Sequence, residues 1–248
     1  MTWKTRLVKL FRGLGWHLSR DGLVRLDAPG GYIPAPPNGY RVFAPWTLPP
    51  FTSLFLQVSP WTLVGDERCY VLHQLVKQCA HLPGDFAECG VYKGGTAMLA
   101  ARTLHDAGAS DRPLHLFDTF QGMPEQAGRD AGGHAPGDFG DTSLTAVQSR
   151  LTEFPNVRFH PGLIPTTLSA AEDRSFAFVY LDLDLYDSTL QAARFFYPRM
   201  VPGAALICDD YGFPRYKDAA KKAIDEYFAD KPEPVIALKT GQCLVIKH

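Results

Sequence analysis

An α/β fold with a mainly parallel sheet and helices on both faces is what this 248-residue sequence predicts. Two observations carry the prediction. Beyond residue 60, short continuously apolar strands alternate with helical stretches, the pattern of strands buried on both faces. Apolar residues make up 46% of the chain and charged residues 21%, too apolar for a disordered polymer and sufficient for one large domain with an appendage. No apolar run approaches the ~20 residues of a transmembrane helix.

The elements follow in order. Trp3, Leu7, Leu10, Phe11, Leu14 and Leu18 recur at helical spacing among Lys4, Arg6, Lys9 and Arg12. This predicts an amphipathic helix that packs on the body or on a second subunit, or lies on a membrane surface; packing is the simpler reading. Residues 27–60, rich in proline and glycine, predict a long irregular connector. A helix is expected over 66–81 with Asp66 as its N-cap, ended by Pro83-Gly84. A strand at 86–88, a glycine-rich turn and a helix through 98–104 come next. Further strands are expected at 113–117, 157–160, 176–181, 204–208, 234–238 and 243–246, and helices over 188–197 and 217–228. The organisation is an arm and connector, 1–60, followed by one domain, 61–248.

Charge is segregated. In residues 1–25, Lys4, Arg6, Lys9, Arg12, Arg20 and Arg25 oppose Asp21 alone, a local +5, which leaves −6 on the remainder of a chain whose total is −1. No nucleic-acid partner is expected. The five cysteines form no Cys-x-x-Cys and are odd in number, which favours reduced thiols in a cytoplasmic protein over disulfides or a zinc site. Cys89 and Cys208 read as small core residues.

In open α/β sheets ligands bind past the carboxyl ends of the strands. The first such end reads Glu88-Cys89-Gly90-Val91-Tyr92-Lys93-Gly94-Gly95-Thr96. Glycines there allow a tight turn and close approach to a ligand. The spacing is neither that of a dinucleotide turn nor of a Walker loop. An acid before the glycines suits a cationic amine, such as that of S-adenosylmethionine. The second end, Asp118-Thr119-Phe120-Gln121-Gly122-Met123-Pro124, offers a carboxylate to ribose hydroxyls, or a helix cap. His160, Gly162 and Leu163 would line an adenine pocket. Two later ends carry Asp182, Asp184, Asp209 and Asp210. Clustering four carboxylates is costly without a cation, which points to a hard divalent metal, magnesium before calcium or manganese, over neutralisation by Lys or Arg. Gly128 to Thr142 reads as a lid; its His134 is either a base or, more simply, a solvated loop histidine. A metal-bound hydroxyl attacking a methyl sulfonium in line is the chemistry these groups fit.

With those segments in hand, the chain resembles the macrocin O-methyltransferase family over roughly residues 60–248. The resemblance rests on the segments 83–95, 118–124, 181–189 and 208–212 in that order. It implies a Rossmann-like class I methyltransferase fold of seven strands, one antiparallel, and S-adenosylmethionine as cofactor, with candidate binding residues Glu88, Gly90, Tyr92, Gly94, Gly95, Thr96, Asp118, Thr119, Gly162 and Asp182. It implies magnesium on Asp182, Asp209 and Asp210, with Asp184 close by, and Asp182 as candidate base. The implied acceptor is a hydroxyl of a sugar or glycosylated natural product. Leu183 stands where many members carry Gly, and Tyr92 and Lys93 where Trp and Arg are frequent. A homo-oligomer is expected. Other readings of the same residues are a non-catalytic nucleotide- or sugar-binding module and a metal-dependent hydrolase or oxygenase, although no two-histidine-plus-carboxylate spacing is visible.

Overall fold

The computed structural model describes residues 43–125, 130 and 134–248, and the backbone of four strands before them. It divides into two compact units, Met1–Phe55 and Leu56–His248.

In the first unit, β1 (Trp16–Ser19) pairs antiparallel with β2 (Gly22–Arg25), and β3 (Tyr32–Ala35) with β4 (Tyr40–Phe43). Two expectations are corrected here. Leu18, placed on an amphipathic helix, lies in β1; the rest of that helix falls at residues 1–15, outside the described residues. The connector 27–60 holds β3, β4 and helix α1 (Phe51–Val58), so it is not irregular throughout. Pairing of Ser19 with Gly22 and of Ala35 with Tyr40 leaves connections of two and four residues, hairpins that the proline count obscures.

The second unit is built on a seven-stranded sheet in the order β10-β11-β9-β8-β5-β6-β7. Its strands are β5 (Asp85–Cys89), β6 (Leu114–Asp118), β7 (Val157–Pro161), β8 (Phe176–Leu181), β9 (Met200–Cys208), β10 (Ile236–Ala237) and β11 (Cys243–Ile246). Neighbours from β7 to β9 run parallel, and β11 is antiparallel to both β9 and β10. Every residue of β5 and β8 is buried, so both faces of the sheet centre are covered. Helices α2 (Asp66–Cys79) and α3 (Gly95–Asp106) pack as one pair, and α5 (Tyr186–Phe196) and α6 (Ala220–Phe228) as another. Aromatic contacts lock α5 to the sheet: Phe196 meets Phe176 edge-on at 4.9 Å between ring centroids and Phe117 at 5.8 Å.

Several boundaries move. Gly65, not Asp66, is the N-cap of α2; Asp66 is its first residue, with Oδ1 accepting the Glu67 N–H at 3.1 Å. Helix α5 starts at Tyr186 and β9 at Met200, both earlier than expected, and α6 starts later, at Ala220. A short helix, α4 (Leu144–Arg150), has no apolar stripe to announce it; Val147 is its one buried residue, and Ser143 caps it through Ala146 N–H at 3.3 Å. All five cysteines are free and buried. Among the described residues no helix is long and apolar enough to cross a membrane.

Register positions the site. Cys89 pairs with Phe117 and with Leu181, and Leu181 with Cys208. Gly90, Asp118, Asp182 and Asp209, each the next residue after one of these, therefore emerge at the same edge of the sheet.

Candidate active site

A cavity of about 670 Å³ opens at that edge. Of the residues singled out in the sequence, Gly90, Tyr92, Thr96, Asp118, Thr119, Gly162, Asp182, Asp209 and Asp210 line it. Glu88, Gly94 and Gly95 do not. Gly94 is the left-handed N-cap of α3, at φ +81°, and Gly95 lies against Trp61 and Thr62, where a Cβ would come within 2.7 Å of backbone. Their role is to bring the helix close. Three of the four described non-glycine residues with left-handed backbone, Tyr92, Phe139 and Asp184, line the cavity, a concentration of strain typical of functional sites.

Asp118 organises the glycine loop. Its Oδ2 accepts the Val91 and Tyr92 N–H groups at 2.6 and 3.0 Å, and its Oδ1 accepts the Phe120 N–H at 2.6 Å. A carboxylate has about four acceptor positions, so capacity remains for one further donor. Thr119 Oγ1 donates to the Gly122 carbonyl at 2.8 Å, and Gly162 N–H donates to the Asp118 carbonyl at 2.9 Å. The loop is pinned from outside as well. Tyr92 OH and Lys93 Nζ donate to Asp141 at 2.7 and 2.5 Å, and Thr142 Oγ1 donates to the Tyr92 carbonyl at 2.6 Å.

Glu88 is 1% exposed. Its Oε1 accepts the Thr96 hydroxyl at 2.6 Å, while Oε2 is buried without a partner. Burial pushes its pKa up to about 8, against the lowering effect of Thr96. It is a neutral acid behind the cavity wall at neutral pH.

His160 does not line the cavity, contrary to expectation. It stacks on Phe117 at 4.4 Å and shares a 2.9 Å hydrogen bond with His115, which in turn meets Asp85 at 3.0 Å. Arg174 closes the array on Asp85 through two hydrogen bonds. Leu163, also expected at the pocket, does line it.

The aspartate cluster converges as the strand order requires. One carboxylate oxygen from each of Asp182, Asp209 and Asp210 lies within 4.8 Å of the others. Asp209 is fully buried and heavily engaged: Tyr180 OH and Gln242 Nε2 donate to Oδ1 at 2.7 and 2.8 Å, and Arg68 pairs with Oδ2. Burial, then the neighbouring carboxylates, pushes Asp182 and Asp210 well above the usual carboxylate range. Burial opposes the charge of Arg68 most strongly, but Asp209 together with Tyr180, Asp182 and Asp210 outweighs it and the guanidinium's pKa is raised. Neutralisation by an arginine thus holds for Asp209. One guanidinium serves Asp209; Asp182 and Asp210 are left mutually repelling with their oxygens facing a common point. That donor set, oxygen-only and anionic, fits a hard divalent cation.

Asp184 stands beside the cluster at φ +60°, its N–H donating to Asp210 Oδ2 at 3.0 Å. Leu183 both lines the cavity and packs on the core, so it narrows the site while turning partly away. His134 is not a solvated loop histidine. It is buried, with Nε2 3.6 Å from Asp184 and Tyr216 stacked on its ring, and the bond to Asp184 raises its pKa against the effect of burial. Polar loop composition pointed outward; the carboxylate across the cavity edge draws the imidazole in.

Arg68, Tyr180, Gln242 and Asp130 were not singled out in the sequence. Tyr180 and Gln242 carry a weak signal, since each lies within two residues of a strand end. Arg68, on α2, carries none: its partner is 141 residues away.

A mostly parallel sheet with this strand order, a glycine loop after β5 and acids past β6, β8 and β9 defines a class I methyltransferase. A family model, macrocin-O-methyltransferase (TylF), matches residues 57–237. The chain is 32% identical over 178 residues, 67% of each sequence, to 8-demethyl-8-(2,3-dimethoxy-alpha-L-rhamnosyl)-tetracenomycin-C 4'-O-methyltransferase of Streptomyces olivaceus. It is 31% identical over 180 residues, 67% of this chain and 69% of the relative, to mycinamicin III 3''-O-methyltransferase of Micromonospora griseorubida. Among solved structures, the O-methyltransferase NovP superposes with a TM-score of 0.67 at 28% identity, covering 75% of this chain and 82% of NovP. The chain belongs to the macrocin-O-methyltransferase (TylF) family. It is an S-adenosylmethionine-dependent O-methyltransferase.

Proposed function

We propose that this enzyme methylates a sugar hydroxyl of a glycosylated natural product, with magnesium held by Asp182, Asp209 and Asp210. The observation that carries the reading is the convergence of those three carboxylates on the cavity that the Asp118-braced loop also lines. The rhamnosyl group in the printed name of the Streptomyces olivaceus relative supports a sugar acceptor.

The residues divide the work. Gly90, Tyr92, Gly94, Gly95, Thr96, Thr119 and Gly162 shape the cofactor side, with Glu88 acting through Thr96. Asp118 spends its remaining acceptor position on a ribose hydroxyl. Bound magnesium would polarise the acceptor hydroxyl and offset the cluster's charge. Asp182 takes the hydroxyl proton as the oxygen displaces S-adenosylhomocysteine in line from the methyl group. Catalysis belongs to residues 61–248; residues 1–60 govern acceptor choice and assembly of a homo-oligomer in the cytoplasm.

Calorimetry with S-adenosylmethionine, then transfer of its labelled methyl group to a panel of rhamnosylated glycosides with and without chelator, tests the proposal. Binding followed by magnesium-dependent labelling of a sugar is expected. No cofactor binding at millimolar concentration, or labelling of the aglycone alone, would reject it.

A further inference from the structure

Four residues, Asp182 to Leu185, join the end of β8 to the first turn of α5. They carry both acids that this strand end brings to the cavity. The segment is tied at its start, where Asp182 N–H donates to the Cys89 carbonyl at 2.9 Å. It is tied in the middle by the bond from Asp184 N–H to Asp210. Its far end depends on where α5 begins, and α5 has no cap of its own. Leu185 occupies the N-cap position and offers no side-chain acceptor.

Asp130 supplies that acceptor from 56 residues upstream. Its Oδ1 accepts the Tyr186 N–H at 2.5 Å and its Oδ2 accepts the Asp187 N–H at 3.1 Å. Both oxygens are used, on two successive amides of the first turn, where a negative charge is also favoured by the helix dipole. Asp130 is 7% exposed, and a carboxylate is not buried without such compensation. Four residues further on, His134 reaches the same segment at Asp184. Two side chains from one stretch of sequence therefore land on the short segment between β8 and α5.

We infer that Asp130 is a positioning residue for methyl transfer: by capping α5 from outside, it fixes the segment that presents Asp182 and Asp184. Asp130 also borders the cavity, but both of its carboxylate oxygens are taken by the α5 amides. The inference rests on the roles given to those acids above, and its test is separable from theirs.

Hydrogen exchange on the full chain, cofactor calorimetry and steady-state kinetics would be compared for the wild type, Asp130→Ala and Asp130→Asn. In Asp130→Ala, exchange across 182–187 should accelerate about 10-fold, the scale of a lost helix cap. Strands β5 and β9 should exchange as in the wild type, and cofactor affinity should fall less than turnover because the Asp118 bonds to the glycine loop remain. The kcat should fall with acceptor KM held. Asparagine still caps helices, so Asp130→Asn should restore most of the protection and turnover, and it serves as the readable variant if the alanine form does not fold. Wild-type exchange across 182–187 in Asp130→Ala overturns the inference, and so does equal loosening of β5 and β9. An inactive wild type would count against the proposed function alone, since the exchange comparison still decides the place of Asp130.

Discussion

The Asp182 carbonyl oxygen lies where a Cβ on Gly90 would be, only 1.8 Å from that ideal position. The glycine loop after β5 and the acidic segment after β8 are in backbone contact, so the cofactor side of the cavity and the metal side are one construction.

Gly90→Ala should break both. The residue sits at φ +87°, and the clash is with backbone that cannot swing away. A loss of about 3 kcal/mol or more in chemical denaturation is expected, together with loss of S-adenosylmethionine binding. An alanine variant with native stability and affinity would mean that the two segments move apart easily.

The crowded carboxylates trade stability for function. Asp182→Asn and Asp210→Asn each relieve the crowding of the two carboxyls that Arg68 does not answer, so the metal-free protein should gain ~1 kcal/mol. Methyl transfer by Asp182→Asn should fall on the order of 100-fold or more. Magnesium should raise the melting temperature of the wild type and not of these variants. An equal rise in all three would place the ion elsewhere.

Glu88 makes folding stability fall as pH rises. Its pKa goes from an ordinary 4.5 to about 8 on folding, so the folded state holds a proton that the unfolded chain releases. The contribution is complete below pH 4.5 and lost progressively up to pH 8, on the order of a few kcal/mol. Glu88→Gln, which does not titrate, should show a flatter profile than the wild type between pH 5 and 8. Parallel profiles would show that the acid is ionised in the folded protein.

His160 acts in the opposite sense. Burial, followed by the neighbouring His115, lowers its pKa from 6.5 to about 4. The unfolded chain then binds a proton that the folded state refuses, so stability present above pH 6.5 is lost as pH falls toward 4. His160→Gln should blunt the drop in melting temperature between pH 7 and 5. An unchanged acid limb would show that the ring titrates freely.

Much of the fold was legible because continuously apolar strands such as Phe176–Leu181 need no tertiary information to be recognised. The candidate site was legible in the same places. Acids that follow such strands stand at the carboxyl edge whatever packs around them, and Asp182, Asp209 and Asp210 do converge. Alternation failed where the signal was short or polar, as in α4, where a single buried side chain gives no period to read. It failed at Trp16–Arg25 and Tyr32–Phe43, where helical spacing and proline content masked two antiparallel pairs.

Sequence alone determined which groups meet the cavity from the strand ends, since their order along the chain and the parallel topology leave those groups little freedom. Tertiary structure alone decided which charges answer them. Arg68 on Asp209, Asp130 at the start of α5 and His134 against Asp184 all come from distant segments. Ion pairs and caps form between groups that packing brings within a few ångströms, and no local period or propensity records such a meeting.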